Sequence, residues 1–185
     1  MNEWKSARLF FALWPDDTVR QRLVDAVSTI RGTIRGKWVK AEKLHTTLAF
    51  LGEVDEVRWP ELSGIGGAMF GAAFTLRLDR VEFWPRNGIV CLGASETPRA
   101  LQDLAAGLAS RLADAGFTSE RRPYRAHLTV ARNGYSDRTR TPLPEPVVWT
   151  LDAFSLVESR LSRDGAEYLL RETWPLQGRD QPSSG

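Results

Sequence analysis

The chain has 185 residues, 42% of them hydrophobic and 26% charged, a composition typical of one globular domain and not of a disordered or fibrous chain. Its formal net charge of +2 permits a polyanionic partner without requiring one. The single cysteine excludes an internal disulfide, and one cysteine with two histidines cannot complete a four-ligand zinc site without carboxylates.

The first half of the chain alternates predicted strands and helices. Residues 8–14 form a short aromatic strand that stops at a proline. Asp16 or Asp17 then caps a helix whose apolar residues recur at helical spacing. The strand over residues 45–51 is dense in Thr, Leu and Phe, and a helix within residues 57–69 is weakened by its glycines.

The second half adds two predicted hairpins around a third helix. An Asn-Gly turn joins strands over residues 74–84 and 89–92, and a Thr-Pro pair begins a helix whose leucine stripe ends at Gly116. The remaining elements are a strand over 127–131, a stiff proline-rich connector over 141–146, and a closing hairpin of strands 147–159 and 167–174 that turns near Asp164 and Gly165. This mixture of helices, strands and hairpins predicts an α+β fold.

Both histidines of the chain occupy the same local pattern. His45 and His127 are each followed two residues later by a threonine, Thr47 and Thr129, and then by an aliphatic residue. Both copies fall on predicted strands, and such a matched pair rarely arises by chance. The spacing of the two copies indicates a twofold repeat of about half the chain.

The spacing within each copy has a chemical meaning. Side chains alternate on a strand, so His45 and Thr47 project from one face, as do His127 and Thr129. If the two halves face each other, both imidazoles and both hydroxyls converge in one cleft. Histidine serves as acid or base near neutral pH, and hydroxyls donate to phosphate oxygens, so the set suits phosphoryl transfer without a metal ion.

These motifs, with residues 8–14, 44–54, 124–132 and 168–176, resemble the 2H phosphoesterase superfamily, and within it the RNA 2′,3′-cyclic phosphodiesterases also called 2′-5′ RNA ligases. The resemblance implies a bilobal, pseudo-twofold α+β fold in which two antiparallel-rich sheets flank a central cleft, with helices outside. Residues 1–177 would form this single domain, and residues 178–185 a polar tail.

The resemblance also implies the roles of individual residues. His45 would protonate the departing 3′ oxygen and His127 would activate water, while Thr47 and Thr129 would hold the phosphate oxygens. Arg132 matches the family's arginine after the second motif. The substrate would be RNA, or a nucleotide, with a 2′,3′-cyclic phosphate end, and the product a 2′-phosphate.

Two predicted substrate contacts depend on local geometry. Arg132 lies five residues beyond His127, so it reaches the cleft only if the strand ends, twists or bulges near Ala131. Phe11 is the predicted aromatic surface for the terminal base, because the family's first strand runs beside the first motif. Basic residues around the motifs predict a rim for the RNA backbone, namely Lys37, Lys40, Lys43, Arg121, Arg122, Arg125, Arg132, Arg138 and Arg140.

The sequence predicts a monomeric enzyme without cofactor or obligate protein partner. Its first apolar run is far shorter than the roughly 18 residues of a membrane helix and is not followed by a cleavage site, so we expect a cytoplasmic protein. Two alternatives remain open. One is a 2H phosphodiesterase acting on a small cyclic phosphate, such as an ADP-ribose derivative, or on a 2′-5′ linkage. The other is a non-catalytic RNA-binding module, against which the two complete motifs argue.

Overall fold

A computed structural model describes residues 5–117, 123–162 and 165–176, with only the backbone of residue 162. The predicted tail, Arg121, Arg122 and Asp164 lie outside the described residues. The described part contains the strands β1 Ser6–Leu13, β2 Arg35–Trp38, β3 Thr46–Asp55, β4 Phe74–Trp84, β5 Ile89–Gly93, β6 His127–Tyr135, β7 Arg140–Leu151, β8 Ala153–Ser162 and β9 Gly165–Pro175. Its helices are α1 Asp17–Ile30, α2 Trp59–Gly67 and α3 Arg99–Asp114.

The three helices form close to where the sequence predicts them. The Asp16 carboxylate accepts a hydrogen bond of 2.7 Å from the backbone N–H of Val19, which caps α1. Helix α3 begins one residue after Pro98, without a side-chain cap, and Gly116 ends it with a φ of +75°. Described helices are too short or too polar to cross a membrane.

The glycines of α2 are explained by packing. A Cβ on Gly66 would lie 2.6 Å from the indole ring of Trp174, far inside van der Waals contact. Only glycine therefore lets α2 approach the strand β9 this closely. The low helix propensity of this segment is the cost of that contact.

The strands form two antiparallel sheets. The first sheet has the order β3-β1-β8-β9, and the second sheet has the order β2-β6-β5-β4-β7. Apart from the edge strand β2, the two orders correspond strand by strand, β3 to β6, β1 to β5, β8 to β4 and β9 to β7. In each case a helix lies in the chain between two strands that neighbour each other in the sheet, α1 between β1 and β3, and α3 between β5 and β6. The α+β architecture with two antiparallel sheets agrees with the prediction.

The strand β1 is buried on both of its faces. Leu9, Phe11 and Leu13 belong to the main hydrophobic core, to which both sheets and all three helices contribute. Phe10 and Ala12 point the other way and form a small second cluster with other residues of the first sheet. Because side chains alternate along a strand, a step of one residue moves a side chain from the core to the opposite face.

Two predictions about strands are wrong. Residues 141–146 are not a connector, because β7 runs through them from Arg140 to Leu151. The strand β7 lies at the edge of the second sheet, where prolines interrupt no inner row of hydrogen bonds. The predicted strand over 147–159 is likewise two strands, which change sheets at Asp152. The short edge strand β2 was not predicted.

Candidate active site

The two histidine rings are held by the backbone in the same way. The Nδ1 atom of His45 lies 2.8 Å from the carbonyl oxygen of Lys43, and that of His127 lies 3.0 Å from the carbonyl oxygen of Arg125. A carbonyl only accepts hydrogen bonds, so Nδ1–H is the donor in both rings. The Nε2 atom of each neutral ring therefore carries the free lone pair.

Both threonines of the motifs lie on the face that remains partly open. Thr47 and Thr129 are half-buried, whereas the flanking residues are buried, namely Thr46, Leu48, Leu128 and Val130. His45 stands directly before β3, and His127 is the first residue of β6. The histidine and the threonine of each motif thus share one face of their strand.

A β-bulge follows each motif threonine. Leu48 is an extra residue directly after Thr47, because its two neighbours pair with consecutive residues of β1. Val130 is an extra residue directly after Thr129, because its two neighbours pair with consecutive residues of β5. The two strands therefore repeat the motif together with its backbone irregularity.

The bulge at Val130 changes the direction of Arg132. On a regular strand Arg132 would point away from His127, but the extra residue restores it to the face of His127 and Thr129. The positive charge of Arg132 contributes to lowering the pKa of His45, in agreement with this direction. The condition set by the sequence, a bulge near Ala131, is met. Lys37 of β2 pairs with Arg132 across the sheet.

Three aromatic rings surround His45 and form what we call the aromatic cage. Ring centroids lie 5.1 Å away for Phe10, 5.3 Å for Trp14 and 5.1 Å for Tyr168, with the Trp14 ring stacked at 12°. Burial in this cage lowers the pKa of His45, because the imidazolium loses hydration. The Lys43 carbonyl opposes this shift, and the charges of Arg132 and His127 add to it.

The first and second motifs lie near each other. The charge of His127 acts on His45, and the strands β3 and β6 that carry the motifs lie in contact. A hydrogen bond of 3.0 Å also joins the segment before β6 to β3, from the Tyr124 hydroxyl to the Thr47 carbonyl oxygen. Burial raises the pKa of Tyr124, so its hydroxyl stays a neutral donor. The structure thereby brings together His45, Thr47, His127, Thr129 and Arg132.

His127 contacts a single indole in place of a cage, and charged residues bind that indole and the neighbouring Arg125. The Trp84 ring lies 4.8 Å from the imidazole, and its indole N–H donates to the Glu82 carboxylate at 3.3 Å. Glu82 is only 2% exposed, and it binds the guanidinium of Arg125 and, at 3.6 Å, that of Arg140. The buried carboxylate of Glu82 thus positions both the Trp84 ring, which contacts His127, and Arg125, whose carbonyl oxygen accepts the hydrogen bond from His127.

The prediction for Phe11 is wrong. Its ring is fully buried in the main core, 6.2 Å from the Phe154 ring and 5.8 Å from the Trp174 ring, and offers no surface to a base. Phe10, one residue earlier, points to His45 instead. The sequence placed the aromatic contact on the right strand and on the wrong face.

Several residues of the site were not predicted from the sequence. Trp84 and Glu82 were not selected from the sequence, and Trp14, Tyr124 and Tyr168 entered only as parts of the segments that carry the resemblance. Alternation along β1 places Phe10 and Phe11 on opposite faces but does not determine which of them faces the core. Of the predicted basic rim, Arg125, Arg132 and Arg140 lie at the site. Within the described residues, no three His, Cys, Asp or Glu side chains cluster closely enough to hold a metal ion.

Comparison with known proteins relates the chain to phosphoesterases. The family model described as "LigT like Phosphoesterase" matches residues 13–91 and again residues 92–168, once for each half. The RNA 2′,3′-cyclic phosphodiesterase of Escherichia coli K12 is 33% identical over 169 residues, 91% of this chain and 96% of that protein. The enzyme of the same name from Thermus thermophilus is 30% identical over 180 residues, 92% of this chain and 91% of that protein.

A solved structure shares the fold over nearly its whole length. The crystal structure of E. coli LigT complexed with 3′-AMP matches with a TM-score of 0.85 and 32% identity, over 93% of this chain and 99% of that one. The two consecutive matches of one family model agree with the repeat of the two motifs and with the corresponding strand orders.

Proposed function

The chain belongs to the LigT-like phosphoesterase family, and we propose that it hydrolyses the 2′,3′-cyclic phosphate at the end of an RNA chain to a 2′-phosphate. The names of its relatives in E. coli and T. thermophilus support this reaction and substrate. The observation that carries the proposal is the presence of two His-x-Thr motifs on contacting strands, with the same nitrogen of each ring held by a carbonyl.

The proposed reaction is an in-line displacement at phosphorus. The Nε2 lone pair of neutral His127 takes a proton from water as the water oxygen bonds to phosphorus. The bond from phosphorus to the 3′ oxygen breaks on the opposite side, and that oxygen takes the Nε2 proton of His45. Hydroxyls of Thr47 and Thr129 and the Arg132 guanidinium would donate to the non-bridging oxygens, where negative charge resides.

The acid role of His45 sets a requirement on its charge. In the free enzyme, burial favours the neutral ring, so the protonated fraction of His45 falls as pH rises through a pKa below the ordinary 6.5. A bound phosphate anion opposes this effect, because it attracts the imidazolium. Substrate binding would therefore favour the protonated form of His45, which is the form that donates a proton to the leaving oxygen.

We also propose that no metal ion takes part in the chemical step. The strained ring fixes the leaving oxygen, and Arg132 with the two threonine hydroxyls would neutralise charge at phosphorus. The reaction should consequently proceed at its full rate in EDTA. Loss of turnover in chelator, restored by a divalent ion, would contradict this part of the proposal.

The test is incubation of the purified protein with an RNA oligonucleotide that ends in a 2′,3′-cyclic phosphate, with EDTA present. ³¹P NMR distinguishes the possible products. A 2′-phosphate end is the expected result, and a 3′-phosphate would show that the other oxygen leaves. An unchanged cyclic end would overturn the proposal and favour a small cyclic substrate or a binding module.

A further inference from the structure

A cavity of about 550 Å³ lies beside His127 and has no part in the proposed chemistry. The Trp84 indole connects the cavity to the candidate active site, since it contacts the His127 imidazole and also lines the cavity. Arg125 does the same, because its carbonyl holds His127 and its side chain lines the cavity. We name this cavity the arginine pocket, after its lining residues Arg86, Arg125 and Arg140.

The arginine pocket is positively charged and offers free donors. Three guanidinium groups line it, and Glu82 is the single carboxylate among its lining residues. Glu82 is buried, whereas the side chains of Arg125 and Arg140 are 50% and 58% exposed. A guanidinium has five N–H donors, so a bond to Glu82 leaves others directed to solvent. The carboxylate therefore orients these arginines without consuming their capacity to bind an anion.

The first sheet carries no such charge at the corresponding place. Across the second sheet, strand pairing aligns the row Thr129, Cys91, Glu82 and Arg140. Across the first sheet, the corresponding row is Thr47, Ala12, Ser155 and Thr173. There the hydroxyls of Ser155 and Thr173 hydrogen-bond each other at 2.8 Å and are uncharged. The first sheet has a buried carboxylate elsewhere on β8, Glu158, which binds Arg160 and Arg171. The charges around Glu82 differ in that they line a cavity next to Trp84 and His127.

We propose that the arginine pocket binds the nucleotide that precedes the terminal one in an RNA substrate. Its phosphate would lie against Arg86 and Arg140, and its base would stack on the Trp84 indole. The volume suits one nucleotide. This inference rests on the proposed function, because the cyclic phosphate at the histidines would place the rest of the chain beside them. It predicts an enzyme selective for oligonucleotides over mononucleotides.

The experiment compares two substrates with the same reacting end. One is adenosine 2′,3′-cyclic phosphate, and the other is a tetranucleotide RNA that ends in the same cyclic nucleotide. For the wild type, we expect kcat/KM to be about tenfold higher for the tetranucleotide. Arg86→Ala and Arg140→Ala should each lower this ratio several-fold and reduce the salt dependence of tetranucleotide hydrolysis. Arg99→Ala is the control, since that side chain is 90% exposed on α3 and its loss changes the net charge equally.

Equal kcat/KM values for both substrates in the wild type would overturn the proposal. So would a ratio in Arg86→Ala and Arg140→Ala that matches the ratio in Arg99→Ala. Hydrolysis of neither substrate would overturn the proposed function instead. In that event, fluorescence anisotropy with a labelled tetranucleotide ending in a 2′-phosphate still tests the pocket. A Kd raised several-fold in Arg86→Ala would support it, and a Kd equal to that of Arg99→Ala would refute it.

Discussion

His45 and His127 occupy the same backbone setting in two different surroundings. Each ring donates to the carbonyl two residues upstream, and each motif threonine is followed by a β-bulge. Around this common frame, the first sheet supplies an aromatic cage that lowers the pKa of His45, and the second sheet supplies an indole, arginines and a buried carboxylate. The repeat thus fixes where the rings lie and which tautomer they adopt. Their neighbours on other strands make the two histidines chemically unlike.

The largest expected effect comes from removing either ring. His45→Ala and His127→Ala should each lower kcat for a cyclic RNA end by about 10³-fold, because each removes a proton-transfer group. Turnover assays measure this loss, and circular dichroism checks that the variants remain folded. A rate within tenfold of the wild type in either variant would remove that histidine from the mechanism.

The next largest effect is expected from replacing Arg132, whose direction depends on the bulge at Val130. Arg132→Gln should lower kcat/KM about 30-fold, since it removes a charged donor to the phosphate. Arg99→Gln is the matched control, because Arg99 is an arginine that is 90% exposed on α3 and lies outside the predicted basic rim. Equal kinetics for the two variants would show that Arg132 has no contact with the phosphate.

A comparison of stabilities tests the difference between Glu82 in the second sheet and Ser155 at the corresponding position of the first sheet. Glu82→Gln should lower the free energy of unfolding by about 2 kcal/mol, because two guanidinium groups lose the negative charge that they share and one accepting oxygen becomes an N–H donor. Ser155→Ala should cost about 1 kcal/mol, for the single bond to Thr173. Urea unfolding measures both. A larger loss for Ser155→Ala would contradict the structural role of the carboxylate.

The smallest effect concerns the charge of His45. The chain has two histidines, so NMR titration with assignment by single substitutions resolves each imidazole. The pKa of His45 should lie below the ordinary 6.5 and rise in Trp14→Leu, because an opened cage hydrates the imidazolium. It should rise less in Arg132→Gln, since burial is the larger cause.

The same shift predicts how pH acts on catalysis and stability. With His45 as the acid, kcat/KM should fall with rising pH earlier in the wild type than in Trp14→Leu. The stability that neutral His45 gives the fold is complete above pH 6.5 and is lost as pH falls below it. A matched change, Trp84→Leu, should leave the pKa of His45 in place. A shift of the same size in both variants would refute the cage as its cause.

Much of the fold and of the site could be predicted from the sequence, for identifiable reasons. Helix caps, turn residues and the spacing of apolar residues are local signals, and they located the three helices and the hairpin of β4 and β5. The paired motifs located the histidines and threonines because they depend only on strand alternation. Strand alternation also predicted correctly that Arg132 could share the face of His127 only if the strand bulged near Ala131.

The errors arise where the outcome depends on distant strands. Phe10 and Phe11 are equally aromatic, and only the contact with helices and sheets beyond β1 decides which one faces the core. The prolines of β7 are compatible with a strand because that strand lies at an edge, which its own sequence does not state. Glu82 reads as one acid among many until strand pairing places it next to Arg140.

The first sheet is built from strands far apart in the chain, β1 and β3 from its beginning and β8 and β9 from its end. During synthesis, both His-x-Thr motifs leave the ribosome long before Tyr168 can close the cage around His45. A chain interrupted after β7 would carry every proposed proton donor and acceptor and yet lack half of that sheet. Interrupted translation products should therefore be inactive and unfolded, open to proteolysis. Catalytic competence is the last property that the growing chain acquires.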